Sequence, residues 1–178
     1  MYEQVLTFWF KQTKPEQWWI ADPAFDALIK SRFLTLLEQA SKGELYRWRE
    51  TIAGRLAEII ILDQFSRNIF RNTADAFSQD MMALTLAQEA VKQELHKSLS
   101  PLECSFLLLP YMHSESKLIH IEAEQLYRKF APAYNYEFEL KHKAIIDRFG
   151  RYPHRNAILG RASTEEELAF LQQPGSSF

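Results

Sequence analysis

Apolar residues recur along this chain with the spacing of helices. The clearest run follows Asp22 and Pro23, where Phe25, Leu28, Ile29, Phe33, Leu36 and Leu37 fall on one helical stripe. No stretch alternates apolar and polar residues between hairpin turn signals, which is the pattern of a half-buried strand. The pattern therefore predicts an all-α protein of about seven or eight helices, with neighbouring helices joined as hairpins by short connections.

Local signals predict where three of these helices begin. Asp22 is placed to cap a helix that has proline at its first position. Ser100 with Glu103, and Thr164 with Glu167, have the spacing of a capping box, in which serine or threonine and the later glutamate satisfy each other's backbone amides. These signals predict helices that start at residues 23, 101 and 165.

Single residues predict further boundaries. Thr73 or Asp75 is expected to cap a long helix, and Asn135 is expected to cap the helix that ends near Gly150. Pro110 is expected to kink or break the helix that begins after Ser100, because proline lacks the amide hydrogen that a helix interior needs. A further helix is predicted from Trp48 to Phe65.

One segment occurs twice in similar form. Residues 61–72 read ILDQFSRNIFRN and residues 145–156 read IIDRFGRYPHRN, so an isoleucine, an aspartate, a phenylalanine, two arginines and an asparagine recur at the same spacings. Each copy is predicted to begin as the apolar end of a helix and to finish in an arginine-rich polar segment. This candidate internal repeat favours two related sets of stacked helical hairpins.

Composition and charge narrow the functional classes. The chain has 178 residues and a net charge of −2, which fits one globular domain over residues 1–178 with a frayed tail at 173–178. So small a net charge argues against a bulk nucleic-acid binder. Neither a secretory signal nor a membrane span is predicted, and the single Cys104, expected to be buried, favours a cytoplasmic protein without disulfides.

Three blocks of the sequence resemble a known family. They are DQFSRNIFR at 63–71, LPYMHSE at 109–115, and RFGRYPHRN at 148–156 with LGR at 159–161. The chain resembles the bacterial family called domain of unknown function 924 over nearly its whole length. The resemblance implies a helical fold similar to tetratricopeptide repeats. It implies no activity, cofactor or catalytic residue.

The arginines of the two repeated segments are candidates for an anion site. Arginine holds a carboxylate or phosphate through two parallel hydrogen bonds, so converging arginines favour such a ligand. In the structural alternative, Asp63 pairs with Arg67 and Asp147 pairs with Arg151, one helical turn apart. The stronger candidates are Arg71, Arg155 and Arg161, which are expected to be unpaired because no acidic residue lies one turn away from them on the same predicted helix.

Histidines are the candidate proton-transfer groups. His113, after Pro110, and His154, beside Arg155, are the candidate catalytic residues. His142 lies on an apolar stripe and is expected to be a hydrogen-bonded interior residue, whereas His120 with Glu124 is typical of a solvated face. No metal site is predicted. Metal ligands would be available only if the fold brought together His113, Glu115, His142 and His154. No cofactor is predicted.

The sequence leaves three functional hypotheses. The first is a binding protein for a small anionic molecule or an acidic peptide end, which we prefer because arginines outnumber candidate bases. The second is an enzyme that uses histidine acid–base catalysis on an anionic substrate, although nothing around Ser114 resembles a nucleophile turn. The third is an interaction scaffold whose motif residues pair internally; no oligomeric state is predicted. The candidate ligand-binding residues are Arg67, Asn68, Arg71, Asn72, His113, Glu115, His142, Arg148, Arg151, His154, Arg155, Asn156 and Arg161.

Overall fold

Helices and short turns build the part of the chain that the computed structural model describes, residues 1–176, and no strand occurs there. The π-helical turn Phe8–Gln12 continues helix α1 (Tyr2–Thr7). A second π-helical turn, Ile61–Phe65, joins α3 (Ile52–Ile60) to α4 (Ser66–Ile69), so α3 and α4 form one continuous helix. Counting that helix once, this range has eight helices, and the prediction of an all-α fold is confirmed. The α-helices are α1 Tyr2–Thr7, α2 Pro23–Ser41, α3 Ile52–Ile60, α4 Ser66–Ile69, α5 Asp80–Lys92, α6 Pro101–Met112, α7 Lys117–Phe130, α8 Ala133–Phe149 and α9 Glu165–Leu171.

The continuous helix of α3 and α4 lies at the centre of the fold. Every residue from 56 to 66 is buried, including Asp63 and Gln64. A helix that is buried on all sides needs neighbours on all sides. Here α1, α5 and α6 pack against α3, and α2 packs against the π-helical turn and α4. The helix therefore carries the first repeated segment through the interior of the protein.

The predicted helix starts are confirmed. Asp22 accepts a hydrogen bond from the amide of Ala24 at the start of α2. Ser100 with Glu103 and Thr164 with Glu167 both form reciprocal capping boxes, so that α6 begins at residue 101 and α9 at residue 165.

Several predicted boundaries are wrong. Helix α6 continues through Pro110 to Met112, so the proline lies in its last turn and does not break it. Asn135 lies inside α8, which begins at Ala133, and is buried. Neither Thr73 nor Asp75 caps the long helix, because residues 74–77 form a separate 3₁₀ turn before α5.

The two repeated segments adopt different local structures. In the first, the helix continues past Phe65 to Ile69, and Ser66 donates a side-chain hydrogen bond to the carbonyl of Leu62 at 2.6 Å. In the second, α8 ends at Phe149, and Gly150 follows with a φ of 71°. Asp63 is fully buried, whereas Asp147 is half exposed and pairs with Lys143. The shared letters therefore do not mark equivalent structural positions.

Two apolar clusters hold the helices together. The larger cluster includes residues from every helix from α1 through α7 and contains edge-on and tilted ring pairs among Trp9, Phe33, Phe65 and Phe106. Such ring pairs add about 0.5–1.5 kcal/mol each beyond the area they bury. The smaller cluster comprises Ile145, Ile146 and Tyr152, with Phe149 and Phe170 packed beside it. It fixes the second repeated segment against the end of α8.

Other predictions concern the surface and the chain end. Cys104 is buried, as predicted. Within residues 1–176, none of the helices combines the length and the apolar character that crossing a membrane requires. Of the tail predicted to fray, residues 177 and 178 lie outside the described residues, whereas Ser176 is buried and donates a hydrogen bond to the carbonyl of Leu171.

Candidate functional site

A cavity of about 580 Å³ lies between the two repeated segments. Residues 64–72 of the first segment form one wall, and residues 152–155 of the second form another. The turn before α2, the end of α6 and the first half of α8 form most of the remaining lining. The lining residues are Trp18, Trp19, Ile20, Ala21, Gln64, Arg67, Asn68, Arg71, Asn72, Ala76, Phe77, Leu109, Met112, His113, Tyr134, Asn135, Phe138, His142, Tyr152, His154, Arg155 and Ile158.

The lining combines aromatic rings with cations. Its ionisable side chains are arginines, histidines and tyrosines, and none of the described lining residues is an aspartate, a glutamate or a lysine. The carboxylates that pair with these arginines lie behind the wall. A ligand in the cavity therefore meets guanidinium groups, imidazoles, amides and aromatic rings, but no carboxylate side chain of the lining.

Asp63 orients one of the cavity's histidines. His113 directly follows α6, and its Nδ1 donates a hydrogen bond to Asp63 Oδ1 at 2.7 Å. Gln64 donates to the other oxygen, Oδ2, at 2.6 Å, and Arg67 lies 3.1 Å from Oδ1. Burial alone would raise the pKa of Asp63, but Arg67 and His113 outweigh it and hold that pKa well below the ordinary value. Asp63 is therefore a buried carboxylate anion.

The predicted pairing of Asp63 with Arg67 is confirmed, and a second carboxylate extends it. Arg67 also contacts Asp80, with Nη1 2.9 Å from Oδ1 and Nη2 3.0 Å from Oδ2. Arg155 Nη1 lies 3.4 Å from the same Oδ2. Asp80, at the first position of α5, therefore links the arginines of the two repeated segments.

Arg155 has the least complete set of partners among the cavity arginines. It is buried, with 6 % of its surface exposed, and its Nε has no hydrogen-bond partner among the described residues. Its guanidinium lies 4.6 Å from the ring centroids of both Phe77 and Tyr152. Burial lowers the pKa of Arg155, and the nearby charge of Arg67 adds to this effect. Since arginine stays protonated in proteins, the cavity wall holds an incompletely satisfied buried cation.

Arg71 does have an acidic partner, contrary to the prediction. Its Nε and Nη2 donate to the two oxygens of Asp26 on α2, at 2.5 and 2.8 Å. Asn68 donates to the same carboxylate at 2.7 Å. Asp26 is 45 positions away in the sequence, so helical spacing gave no indication of it. Asn72 follows in the left-handed conformation, with a φ of 63°, and lines the cavity.

The remaining motif arginines pair away from the main cavity. Arg161 was predicted to have no acidic partner, but it donates to both oxygens of Glu115. Arg151 pairs with Glu167 rather than with Asp147, so that predicted pairing is wrong. Five candidate residues do not line the main cavity: Glu115, Arg148, which pairs with Glu166, Arg151, Asn156, which accepts from Arg161, and Arg161.

Two of the three predicted cavity histidines are strongly affected by burial. His142 donates from Nδ1 to the carbonyl of Phe138 at 2.8 Å, and burial lowers its pKa to about 3. It is the hydrogen-bonded interior histidine that the sequence predicts. Burial also lowers the pKa of His154 to about 4, with Arg155 adding to the effect, and its Nδ1 has no hydrogen-bond partner in the described range. Both rings are therefore neutral near pH 7.

The prediction that His120 lies on a solvated face is wrong, because its side chain is fully buried. Its Nε2 donates to the carbonyl of Ser114 at 2.9 Å, and its Nδ1 lies 2.7 Å from Oε1 of the buried Glu139. Burial raises the pKa of Glu139. The pair lies behind the cavity, where the hydroxyl of Tyr152 is 3.3 Å from His120 Nε2.

A smaller cavity of about 300 Å³ lies on the other side of His113. It is lined by Asp80, Ser114, Glu115 and Arg155, among others, so Ser114 faces this space and is absent from the lining of the main cavity. Over residues 1–176, no group of three or more histidine, cysteine, aspartate or glutamate side chains is arranged to hold a metal ion. His113, Glu115, His142 and His154 therefore do not form the metal-ligand set considered from the sequence.

Sequence reasoning missed several residues of the site. Asp80 escaped notice because it is 13 positions from Arg67 and 75 from Arg155, so no local spacing joins them. Asn135 is predicted to be a helix cap, but it lines the cavity, and its Oδ1 is buried without a partner among residues 1–176. Trp18 and Trp19 offered a signal, since two adjacent tryptophans lie outside any helical stripe, and both line the cavity.

The geometry meets one of the two structural requirements of the scaffold hypothesis and fails the other. Each of the six motif arginines has a carboxylate within 3.4 Å, as the scaffold hypothesis requires. That hypothesis also requires that no pocket lie between the two repeated segments, and the main cavity lies there. Internal pairing and an open cavity therefore coexist.

Comparisons with known proteins give a family for this chain. A model of the family described as a bacterial protein of unknown function, DUF924, matches residues 5–175. The structure is similar to that of a protein of unknown function from Agrobacterium tumefaciens, with a TM-score of 0.91, 34 % sequence identity and 96 % of each chain covered. A search of curated proteins finds no match. The chain belongs to the DUF924 family of bacterial proteins of unknown function.

Proposed function

We propose that this protein binds a small molecule that carries an anionic group beside an apolar, planar part. The observation that carries the proposal is Arg155. Its guanidinium is buried in the cavity wall, its Nε has no partner among the described residues, and its carboxylate contact at 3.4 Å is to Asp80, which already pairs with Arg67. A buried donor without an acceptor costs about 1–3 kcal/mol, more when the group is charged, and an anionic ligand would supply the acceptor.

Other polar atoms support the same site. His154 Nδ1 and Asn135 Oδ1 are buried without partners in the described part of the chain, and both residues line the cavity with Arg155. Together they offer a cation, an imidazole nitrogen and an amide oxygen to one ligand. Buried polar groups are nearly always satisfied in folded proteins, so three such atoms around one cavity favour a polar ligand or ordered water there.

The aromatic lining supports the apolar part of the ligand. Trp18, Trp19, Phe77, Phe138 and Tyr152 present rings to the cavity. A volume of about 580 Å³ lies within the range of about 300–1,000 Å³ that is usual for small-molecule pockets. We therefore favour a small molecule over an acidic peptide end. The absence of carboxylates from the described lining favours an anion over a cation.

Calorimetric titration with phenyl phosphate, which has both an anionic group and a ring, tests the proposal. We expect phenyl phosphate to bind. Inorganic phosphate, which has only the anionic group, and benzyl alcohol, which has only the ring, should both bind more weakly. Arg155→Met should weaken phenyl phosphate binding at least about tenfold, because it removes the charge while keeping most of the side-chain volume. Arg148→Met, at an exposed ion pair outside the cavity, should leave it unchanged.

Two outcomes would contradict the proposal. One is the failure of phenyl phosphate and benzoate to bind to the folded wild type at millimolar concentration. The other is binding that Arg155→Met and Arg148→Met reduce equally, which would indicate a general charge effect. Thermal unfolding of both variants shows whether each is folded during the titration.

A further inference from the structure

His113 is held in one tautomer by the residues around it. Asp63 is an anion, so the 2.7 Å hydrogen bond to its Oδ1 requires the proton on His113 Nδ1. That leaves the lone pair on Nε2, which has no hydrogen-bond partner among the described residues. His113 lines both cavities. A neutral imidazole with a bare Nε2 and a buried carboxylate behind Nδ1 is the arrangement of a general base.

The base and the proposed anion site belong to one connected network. His113 and Arg67 share Asp63 Oδ1, and Arg67 and Arg155 share Asp80 Oδ2. These side chains come from the π-helical turn, α4, α5, the end of α6 and the 3₁₀ turn at 153–155. Two carboxylates therefore connect the base to the arginine of the proposed anion site: Asp63 links His113 to Arg67, and Asp80 links Arg67 to Arg155.

The lining of the main cavity restricts the chemistry. None of its described residues is a serine, threonine, cysteine, lysine, aspartate or glutamate, so none of the described lining residues offers one of these nucleophiles for a covalent intermediate. Ser114 lies next to His113 in the chain but lines the smaller cavity. In the main cavity, where the described lining offers His113 none of these nucleophiles, the base acts on water or on the ligand itself.

We propose that His113 is the general base for hydrolysis of an ester whose other end carries the anionic group, with Asp63 as its positioning residue. The substrate class rests on the proposed function, since Arg155 holds the anion. Water loses a proton to Nε2 while its oxygen bonds to the ester carbonyl carbon. The bond from that carbon to the alcohol oxygen then breaks, and the alcohol leaves with the proton from Nε2. The products are a carboxylic acid and an alcohol, and His113 is neutral again.

The charges around His113 support this role. Burial lowers its pKa, and Arg67 adds to the effect against the opposing influence of Asp63 and Asp80. His142 and His154 also face it and are neutral near pH 7. The imidazole is therefore unprotonated at neutral pH, and the rate should fall as the pH decreases through its lowered pKa.

The test uses 4-nitrophenyl hydrogen succinate, an ester with a free carboxylate, and neutral 4-nitrophenyl butyrate. We expect the wild type to release 4-nitrophenolate from the succinate ester faster than buffer does. His113→Gln should lower kcat at least about 100-fold. Arg155→Met should raise KM for the succinate ester by a larger factor than it raises KM for the butyrate ester. His96→Gln, at a buried histidine packed on Phe130 outside the cavity lining, is the control and should keep full activity.

Two measurements separate catalysis from a structural role of His113. Imidazole in the buffer should restore part of the activity of His113→Ala, in proportion to its concentration, which a purely structural defect would not allow. Nitrogen NMR of the wild type at pH 7 should show His113 with the proton on Nδ1. The opposite tautomer, or a protonated ring, would overturn the proposal without reference to any substrate.

The outcomes also distinguish this inference from the proposed function. If phenyl phosphate binds at Arg155 but neither ester is hydrolysed in a His113-dependent way, catalysis is overturned and binding stands. If hydrolysis depends on His113 but anions neither bind nor respond to Arg155→Met, the base is supported and the anion site is overturned. If the esters are hydrolysed equally by the wild type and His113→Gln, the inference is wrong.

Discussion

Arg161 donates to both carboxylate oxygens of Glu115, at 2.6 and 2.9 Å, across 46 positions of sequence. The same carboxylate accepts the backbone amide of Tyr152 at 2.7 Å, and Arg161 also donates to the carbonyl of Tyr152. The pair thus fixes the backbone of the second repeated segment to the loop after α6. It gives Arg161 a structural role beside the cavity rather than a place in its lining.

Removing that pair should destabilise the protein. Arg161→Met leaves Glu115, whose side chain is 24 % exposed, without its charged donor. We expect the free energy of unfolding to fall by about 2 kcal/mol, the scale of hydrogen bonds to charged groups. Urea denaturation measures the change. Arg148→Met, whose partner Glu166 is largely exposed, is the matched control and should cost less than about 1 kcal/mol. Equal losses in the two variants would contradict this account.

The sequence predicted the helices better than their partners. Capping at Asp22, Ser100 and Thr164 depends on residues three or fewer positions apart, so it can be read locally, and all three helix starts are confirmed. The helix boundaries predicted near Pro110 and Asn135 are wrong because tertiary packing, rather than local sequence, decides them. Proline in the last turn of α6 and a buried asparagine inside α8 are both tolerated where the surrounding core fixes the helix.

The sequence predicts the position of the site but not most of the ion pairs that its side chains form. The repeated segments do meet at a cavity, and eight of the candidate residues line it. The pairing of Arg67 with Asp63 was predictable because both lie on one helix. The partners of Arg71 and Arg161 were not, since Asp26 and Glu115 reach them only through the fold. The matching sequence also gave a wrong expectation for Asp147. Its side chain is half exposed and pairs with Lys143, so it does not act as a buried partner of a motif arginine as Asp63 does.

Neutralising Asp26 should strengthen anion binding. Asp26→Asn keeps an oxygen acceptor for Arg71 but removes a negative charge from behind the cavity wall. We expect the affinity for phenyl phosphate to rise about two- to fivefold, since removing a like charge behind the wall is worth about 0.5–1 kcal/mol when solvent screens the interaction. Titration calorimetry measures the effect, which should shrink in high salt. Glu44→Gln, at an exposed position outside the lining, serves as the control, and a weaker affinity in Asp26→Asn would contradict the prediction.

Stability should decrease as the solution is acidified from pH 7 toward pH 4. The folded-state pKa values of His142 and His154 lie at about 3 and about 4, below the ordinary histidine value of about 6.5. In that window the unfolded chain binds protons that the folded chain does not. Each histidine therefore lowers the free energy of unfolding by up to about 1.4 kcal/mol per pH unit.

Two buried carboxylates also affect how stability depends on pH. Asp63 acts below the window from pH 7 to pH 4, and Glu139 acts in the direction opposite to the histidines. The lowered pKa of Asp63 makes its contribution fully present above about pH 4 and lost only at lower pH. The raised pKa of Glu139 acts in the opposite direction, since its contribution is present at low pH and lost as the pH rises. Urea denaturation between pH 7 and pH 4 measures the slope. His154→Gln should flatten it, and an unchanged slope in that variant would show that His154 titrates normally.

Gly54 is the glycine at which a side chain has no space. It lies in the first turn of α3, and a Cβ atom there would be 2.0 Å from the carbonyl oxygen of Trp48, a backbone atom that cannot rotate away. Gly54→Ala should therefore cost about 3 kcal/mol or more, since the turn at 46–50 must move from the helix that carries Asp63. Gly43→Ala is the matched control. Its φ is 72° with open space around it, so it should cost only about 1–2 kcal/mol. Urea denaturation of the two variants decides between them, because a cost at Gly54 no greater than at Gly43 would mean that the turn yields easily and that Trp48 does not fix the start of α3.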